Sequence, residues 1–421
     1  MVTLRSQWRE LMAGGSPAVY RILTHGVLFG LSFSIADILF NFYLTSLGYD
    51  NAVAGQMQSV FRVAGVFLGL PIGMVIDKLS AQRMLYIGIL TYAIGWAVLL
   101  LLDGVGLTIG TWEVTPLQLM NAVYFVIGAA NMATYTAVVP LLSQVIEPRQ
   151  RAAMFGINAA ASTMVGSVGS IIGGSLPALI APMMGVSATS EPAYRMAMFT
   201  VSIFGLLAAV PLMGIKTGNA HQTGASANAT PGVVIPPVPF YTLLLLVTPS
   251  FFFGFAGGMF VPFQNLFFRQ QFQLSDAAVG ASLAVASLAM GVGSMIGGPL
   301  SKRFSVRSVA AWSRGFGAPT MLLMIIPWLP VASAAYDINR LLIGLTFPLF
   351  SALMMQTVPV QQRGTSTSMS SMSWSLGWAV ASTLSGQLQS GSFTTVLIIS
   401  AVAYIISGVL VGVLPYRDKL E

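Results

Sequence analysis

The chain contains no cysteine and very few charged residues or histidines. Its 421 residues include 19 Lys or Arg, 12 Asp or Glu and 2 His, so charged residues are 7% of the total. A soluble globular domain carries about 25%. Without cysteine, disulfides, thiolate metal sites and cysteine nucleophiles are excluded. The low charge also excludes a water-soluble enzyme, a nucleic-acid-binding protein and a disordered chain, because each of them needs a more polar composition.

Signatures of catalysis and of ATP use are missing as well. The sequence has no Gly-rich phosphate loop ending in Lys and Ser or Thr, so ATP does not drive this chain directly. It has no His/Asp/Glu cluster for a metal, no Ser–His pair at a suitable depth for an intramembrane hydrolase, and no paired acids for a prenyl transferase. We therefore expect no enzymatic activity, no cofactor and no metal.

The sequence has long apolar runs instead, and hydrophobic residues make up 55% of it. A run of about 20 apolar residues is long enough to cross a bilayer as a helix. The runs predict an all-α polytopic membrane protein with twelve transmembrane helices, in which the first run is a retained span rather than a signal peptide. The predicted helices lie near residues 19–46, 53–76, 83–102, 116–141, 152–182, 194–215, 239–269, 276–300, 306–329, 336–357, 364–388 and 393–414.

One polar stretch divides these helices into two halves. Residues 216–238 are rich in Gly, Ala, Ser, Asn, Thr and Pro, which predicts a flexible linker. We expect an N-terminal segment at 1–18, a six-helix bundle at 19–215, a second bundle at 239–414 and a tail at 415–421.

The positions of the basic residues predict the orientation in the membrane. Only Arg195, Arg269 and Arg340 are expected near one side of the predicted bundle, and Arg21, Arg62 and Arg314 fall within spans. The remaining 13 of the 19 basic residues lie on the opposite side: Arg5, Arg9, Lys78, Arg83, Arg149, Arg151, Lys216, Lys302, Arg303, Arg307, Arg363, Arg417 and Lys419. Because cytoplasmic loops are enriched in Lys and Arg, we expect a multi-pass protein of the cell membrane with both termini and the linker in the cytoplasm.

The two halves repeat each other in sequence. Asn-Ala-Val-Ala-Gly at 51–55 is matched by Asp-Ala-Ala-Val-Gly at 276–280, and Gly73 is matched by Gly298, again 225 positions on. Two similar six-helix halves joined by a linker are the parallel repeat of one class of secondary transporters.

The loop after the second predicted helix carries a motif. It reads Gly-Met-Val-Ile-Asp-Lys-Leu-Ser-Ala-Gln-Arg from Gly73 to Arg83. This resembles motif A of the major facilitator superfamily, in which a glycine and three residues precede an acid, a basic residue, a small residue and further basic residues. The resemblance implies a conformational lock between the halves, formed here by Gly73, Asp77, Lys78 and Arg83. Ser80 replaces the second glycine of the motif, and the second copy carries Lys302 in place of the acid.

The stretch Gly166–Gly174 is similar to motif C of the antiporters of this superfamily, with Ser170 in place of the proline. The alternative interpretation is close helix packing through small residues.

Polar residues recur at helical spacing along three of the predicted helices, on one face of each. These stripes are Gly30, Ser34, Asp37 and Asn41 on helix 1, Gln58, Arg62, Gly65, Gly69 and Gly73 on helix 2, and Asn121, Tyr124, Gly128, Asn131 and Tyr135 on helix 4. Polar groups are costly in lipid, so each stripe is expected to face the bundle interior or a wet cavity. The superfamily resemblance implies that helices 1, 4, 7 and 10 line the cavity and that helices 2, 5, 8 and 11 form the moving interface. We expect cavity or substrate contacts from Ser34, Asn41, Tyr124, Asn131, Tyr135, Gln264, Asn265 and Trp378.

Asp37 and Arg62 are the candidate proton-coupling residues. Both are roughly 16 Å from the same outer turn at about 1.5 Å per residue, so an ion pair between them is feasible. In one interpretation, Asp37 takes up and releases a proton as the access of the cavity changes. In a second, the pair is a permanent structural bridge, and in a third either residue contacts substrate directly. His25 is either a proton relay or an interfacial polar residue.

Helix 7 is rich in phenylalanine, so a subset of these rings either lines an apolar pocket or packs against protein and lipid. Together, these features predict a secondary transporter working by alternating access, with proton-coupled efflux of a small apolar or amphipathic compound as the first hypothesis. An importer of a small organic anion held by Arg62 is one alternative, and a non-transporting membrane sensor with the same fold is another. The expected partners are the solute, protons and membrane lipid, without nucleic acid.

Overall fold

The computed structural model describes residues 17–102, 104–109, 112–146, 151–215, 240–301, 303–359, 362–389 and 392–414. The expected linker at 216–238, almost all of the N-terminal segment and the tail therefore lie outside the described residues. The described part consists of long helices and one short hairpin.

The first half of the chain contributes six long helices. They are α1 (Pro17–Ser46), α2 (Asn51–Leu79), α3 (Ala81–Leu101), α4 (Pro116–Val145), α5 (Arg151–Met184) and α6 (Glu191–Ala209), which ends in a 3-10 turn at Val210–Leu212. Between α3 and α4, strand β1 (Leu107–Ile109) pairs antiparallel with β2 (Trp112–Val114). The sequence does not predict this hairpin, because its strands are too short for a period-of-two pattern to identify.

The second half also crosses the bundle six times, and two of its crossings are interrupted. Its helices are α7 (Phe240–Phe260), α8 (Gln264–Phe272), α9 (Asp276–Ser301), α10 (Val306–Gly315), α11 (Gly317–Leu323), α12 (Leu329–Thr357), α13 (Arg363–Leu388) and α14 (Phe393–Val413). A 3-10 turn at Val261–Phe263 joins α7 to α8 within one crossing. Pro262, which has no N–H to donate, lies in this turn. Helices α10 and α11 form another crossing.

The two faces of the bundle are named here after their loops. The hairpin end carries the β-hairpin and the turns after α1, α5, α8, α11 and α13. The linker end carries the start of α1, the turns after α2, α4, α9 and α12, and the ends of α6 and α14.

The predicted fold class is confirmed. Nine of the described helical segments are long and apolar enough to cross a membrane. The other three crossings are α2, which contains Gln58 and Arg62, the serine-rich α13, and the interrupted pair α10 and α11. Their polar residues and breaks make them less apolar, and the helix packing completes two six-helix halves.

The predicted start of the tenth helix was wrong. The apolar pattern predicts a start near residue 336, whereas α12 begins at Leu329, about two turns earlier. Pro330 lies in its first turn, where a missing N–H is tolerated. The crossing before it ends early as well, because α11 stops at Leu323. Arg340, expected near the hairpin end, therefore lies deep in the bundle.

The halves meet along two helix pairs, α2 with α13 and α5 with α9. Both pairs bring glycines into backbone contact near the hairpin end. A Cβ on Gly55 would lie 3.0 Å from the Cα of Gly386, and one on Gly280 would lie 3.1 Å from the Cα of Gly174. Gly55 and Gly280 are equivalent positions of the sequence repeat, so the two contacts are related by the pseudo-symmetry of the halves.

The turn between α2 and α3 has a strained residue. Ser80 has a φ of 80° and ψ of 144°, a conformation that glycine adopts readily and serine does not. Its side chain accepts a hydrogen bond from the backbone N–H of Arg83. Ser80 stands where motif A has its second glycine, so the backbone keeps the glycine conformation after the residue type has changed. Its counterpart Ser305, 225 positions on, also caps a helix, with an ordinary φ of −63°.

We predict that Ser80→Gly raises the midpoint of thermal unfolding of the detergent-purified protein. Removing the strain favours the variant by about 1–3 kcal/mol, whereas glycine in place of a serine cap costs only a few tenths of a kcal/mol. Ser305→Gly is the matched control, because it loses a cap without relieving strain and should leave the midpoint unchanged or slightly lower. Equal shifts in the two variants would contradict the strain at Ser80.

Candidate functional site

A cavity of about 370 Å³ lies between the two halves. This volume falls within the range of about 300–1,000 Å³ of small-molecule sites. Helices α1, α4, α8 and α12 contribute to its wall, as the resemblance implied for helices 1, 4, 7 and 10, and α5 and α9 contribute as well. Its polar lining consists of His25, Ser34, Asp37, Tyr135, Ser162, Thr163, Ser170, Gln264, Ser287, Tyr336 and Arg340.

Asp37 lies on the cavity wall and is connected to the opposite half. Although it is deep within α1, its side chain is exposed to the cavity. The Nε2 of Gln264 on α8 donates to Oδ2 of Asp37 at 3.3 Å. The hydroxyl of Tyr336 on α12 donates to Oε1 of the same glutamine. One hydrogen-bonded chain therefore runs from the acid of the first half to two helices of the second.

The break between α7 and α8 provides a second connection between the halves. Nδ2 of Asn41 donates to the carbonyl oxygen of Pro262 at 2.6 Å and to Oδ1 of Asn265 at 2.9 Å. Nδ2 of Asn265 donates in return to the carbonyl oxygen of Ile38 at 2.7 Å. Both asparagines are buried and do not line the cavity. They close the space between α1 and the broken crossing on the hairpin side of Asp37.

Arg62 is surrounded by aromatic rings. Its guanidinium carbon lies 4.7 Å from the ring centroid of Trp378, 5.2 Å from that of Trp374 and 5.6 Å from that of Phe61. Within the described residues, no N–O distance of 4.0 Å or less joins Arg62 to Asp37. The charge of Arg62 is thus stabilised by cation–π contacts across the α2–α13 interface, and neither Arg62 nor Trp378 lines the cavity.

The stripe on α4 divides between the core and the cavity. Tyr124 stacks on Phe40 with a centroid distance of 4.6 Å and is buried in the first half. Asn131 is also buried, and its Nδ2 has no hydrogen-bond partner in the described part of the chain. Tyr135, nearer the linker end, is 53% exposed and lines the cavity. Ser34 lines it as well.

His25 lies at the linker side of the cavity. Its Nδ1 donates to the carbonyl oxygen of Ala208 at 2.9 Å, and its Nε2 has no hydrogen-bond partner in the described residues. The imidazole ring stacks on the ring of Phe29, with 5.9 Å between the two ring centroids. Phe29, Phe33 and Tyr135 form the aromatic part of the wall. The phenylalanines of helix 7 are absent from the lining.

Arg340 is a cavity residue that the sequence analysis missed. It lies on α12 and lines the cavity one turn from Tyr336, whose ring centroid is 5.8 Å from its guanidinium carbon. Its Nε is buried without a hydrogen-bond partner among the described residues. Because the helix was predicted to start near residue 336, Arg340 was placed near the membrane surface and not at the depth of the cavity. Pro330 in the first turn was the available signal, because it allows the helix to begin earlier.

A polar cluster joins the halves at the hairpin end. The hydroxyl of Tyr194 on α6 donates to Oδ2 of Asp276 on α9 at 2.6 Å and accepts from Nη1 of Arg269 on α8 at 2.9 Å. Nη1 of Arg269 lies 3.5 Å from Oδ1 of Asp276. Nδ2 of Asn51 donates to Oε1 of Gln389 at 3.2 Å beside the glycine contact of α2 and α13. These bonds hold the halves together on one side of the cavity.

Among the residues that the structure describes, contacts across the halves are sparser at the linker end. A Cβ on Gly298 would meet no atom within 4 Å, and Phe67 on α2 and Met295 on α9 are 70% and 77% exposed. The halves are therefore closed at the hairpin end, and the cavity extends toward the linker end. Arg83 is exposed there, whereas the surroundings of Gly73 and the side chains of Asp77 and Lys78 lie outside what the structure describes.

Two six-helix halves around a central cavity that is closed at one end define the fold of a membrane transporter. Residues 22–248 and 246–421 match the family model of the Major Facilitator Superfamily. The chain belongs to that superfamily. No curated protein sequence matches it.

Solved structures of transporters share the fold. A bacterial homolog of the human lysosomal transporter Spinster, inward-facing and occupied, is 14% identical with a TM-score of 0.68, and 95% of each chain is covered. A variant of the nucleoside transporter NupG is 15% identical with a TM-score of 0.65, covering 94% of this chain and 98% of that one. A variant of the E. coli fucose:proton symporter FucP is 16% identical with a TM-score of 0.58, covering 93% and 97%.

We predict that Gly280→Val opens the hairpin end. The valine side chain would overlap the carbonyl oxygen of Ser170, and overpacking of this kind costs about 1–3 kcal/mol. One or two kcal/mol changes a conformer ratio by about 5–30-fold. Because the chain has no cysteine, spin labels can be attached at Thr189→Cys and Gln271→Cys, which are exposed positions of the two halves at that end.

The label–label distance should lengthen in Gly280→Val and should not change in the matched control Gly298→Val. An unchanged distance distribution in Gly280→Val would show that the glycine contact does not hold this end closed.

Proposed function

We propose that this chain is a proton-coupled secondary transporter that moves a small amphipathic solute by alternating access, with Asp37 as the proton-carrying group. The observation that carries the proposal is the cavity between the halves, closed at one end, with an exposed acid hydrogen-bonded across the interface. A carboxylate at this depth is costly unless it is hydrated, paired or protonated. Rocking of the halves would break its bond to Gln264 and change its surroundings.

Several features support proton coupling over a fixed structural role for Asp37. No ion pair of 4.0 Å or less within the described residues holds its charge, and its side chain is accessible from the cavity. The fucose:proton symporter among the structural neighbours provides a fold-level analogy. Fold analogy raises the expectation of transport without identifying the solute.

Efflux is the first direction that we propose. The positive-inside bias assigns the linker end to the cytoplasm, so the cavity would load from inside the cell. The aromatic surface of Phe29, Phe33 and Tyr135 suits an apolar or amphipathic body. In an exchange mechanism, the outgoing solute and the incoming proton would compete for the same acid.

Uptake of a small organic anion is the second candidate. It is favoured by the presence of Arg340 in the cavity. From the sequence alone Arg62 is the candidate for this role, but its guanidinium is enclosed by rings and does not line the cavity. A non-transporting sensor with the same fold would bind a ligand and show no flux.

We predict that Asp37→Asn folds normally and loses concentrative transport. Asparagine is nearly the same size and retains an oxygen for the bond from Gln264, but it does not carry a proton. The measurement begins with a thermal-shift screen for a ligand, since a specific binder raises the unfolding midpoint by mass action. The labelled ligand is then followed in proteoliposomes with an imposed pH gradient.

Asp50→Asn is the matched control, because Asp50 is exposed at the hairpin end, where its Oδ1 accepts from the N–H of Val53. It should transport like the wild type. Concentrative flux that persists in Asp37→Asn would remove Asp37 from the mechanism, and absence of flux in the wild-type protein would favour the sensor.

A further inference from the structure

The arginines that lie within membrane-spanning helices differ in how their charge is satisfied. Arg314 is 2% exposed, and its Nη1 donates to the carbonyl oxygen of Pro249 and to Oγ of Ser407, both at 3.0 Å. The rings of Phe350 and Phe253 flank it at 4.0 Å and 4.6 Å. Arg62 has its aromatic enclosure. Both guanidinium groups are therefore enclosed by fixed protein groups, although the Nε of each has no hydrogen-bond partner among the described residues.

Arg340 has no comparable partner. It forms no hydrogen bond to another described residue, and its one ring contact is Tyr336 at 5.8 Å. Asp37 is the nearest source of opposite charge on the cavity wall, but no N–O distance between the two is 4.0 Å or less in the described residues. A guanidinium offers five N–H donors in a planar fork. Here that fork lines the cavity with its hydrogen-bonding capacity unused.

The geometry points to an anion-binding subsite: we propose that Arg340 holds the carboxylate or sulfonate group of an amphipathic organic anion, that Phe29, Phe33 and Tyr135 contact its apolar body, and that Asp37 is protonated when the anion is bound. This inference rests on the proposed coupling through Asp37. Within that coupling it favours the second candidate function, cotransport of an organic anion with a proton, over the efflux by exchange that was placed first.

The aromatic and cationic parts of this site belong to different halves. Phe29 and Phe33 lie on α1 and Tyr135 on α4, whereas Arg340 lies on α12. Phe29 and Phe33 lie 5.5 Å and 6.2 Å from Tyr135, centroid to centroid. A solute with an apolar end and a charged end would contact both halves at once. Such contact is required if the solute is to influence their relative position.

The charge distribution explains why the proton accompanies the anion. A free Arg340 attracts the negative charge of Asp37 across the cavity. An anion seated on Arg340 cancels that attraction and adds a repulsion, so the neutral acid becomes favoured. Because linkage is reciprocal, a proton on Asp37 strengthens anion binding by the same factor.

Other titratable groups surround Asp37 and define the controls. They are Arg62 on α2, Tyr92 on α3, Tyr124 and Tyr135 on α4, and Tyr336 and Arg340 on α12. His25 lines the same cavity from the helix of Asp37 itself. Proton uptake at His25 is therefore the competing explanation, and His25→Asn tests it.

The test uses three probes with one aromatic body and different permanent charges: benzenesulfonate, benzyltrimethylammonium and benzyl alcohol. Their charge does not change with pH, so any pH dependence of binding belongs to the protein. Dissociation constants are measured by titration calorimetry on the purified full chain between pH 5 and 8. Calorimetry in two buffers of different ionisation enthalpy counts the protons taken up.

We expect benzenesulfonate to bind best and to bind more tightly as the pH falls, by at most tenfold per pH unit, which is the limit for one proton. Asp37→Asn should bind it without pH dependence and without proton uptake, whereas His25→Asn should retain both the pH dependence and the proton uptake. Arg340→Gln should weaken binding by about tenfold or more, because charge-assisted hydrogen bonds are lost. Arg303→Gln, an exposed residue at the linker end, is the matched control and should bind like the wild type.

The contrary results are equally specific. Tighter binding of benzyltrimethylammonium, weakening as the pH falls, would make Asp37 the anchor of a cation and overturn the anion subsite. Failure of benzenesulfonate to bind, or wild-type binding by Arg340→Gln, would overturn it as well. Each of these leaves the proposed transport intact, which fails separately if bound ligand produces no flux in proteoliposomes.

Discussion

The free-energy cost of placing a charge inside a membrane determines how the charged side chains of this structure are arranged. An isolated charge in hydrocarbon costs several kcal/mol, so it must find a counter-charge, fixed dipoles, aromatic faces or water. Arg314 donates hydrogen bonds to a carbonyl and a hydroxyl oxygen and contacts two aromatic rings. Arg62 contacts three aromatic rings. Asp37 and Arg340 have fewer fixed partners and face the cavity. The groups left for a solute or a proton are thus those that the fold has not already satisfied.

This constraint also explains how the halves are joined. The connections near Asp37 are hydrogen bonds between side chains and a broken helix, as in the exchange between Asn41 and Asn265 beside Pro262. The asparagines are 224 residues apart, within one residue of the repeat that relates the halves, so they meet close to the pseudo-twofold axis. Near the hairpin end, backbone contact between glycines is added to the side-chain bonds of Tyr194, Arg269 and Asp276. Both kinds of contact are small and separable, which suits an interface that must open.

Much of the fold could be predicted from the sequence because apolar length and charge placement reflect the bilayer directly. Helical spacing put Ser34, Asp37 and Asn41 on one face, and the first two line the cavity. It did not indicate where along that face the two halves pack against each other. Asn41 and Tyr124 were therefore expected in the cavity, whereas both lie in packed regions. Arg340 was misplaced for a different reason: a proline in the first turn of α12 resembles a helix break unless the end of the preceding helix is known.

A loaded carrier with balanced charge has an energetic advantage in this fold. Moving one elementary charge across a membrane changes the free energy by about 2.3 kcal/mol per 100 mV. An anion on Arg340 with a proton on Asp37 adds no net charge to the cavity, whereas an anion alone does. The same neutrality reduces the desolvation cost when the halves close around the solute. An acid and an arginine on opposite walls, each facing the cavity and not bonded to each other, therefore provide a physical reason for a proton and an anion to cross together.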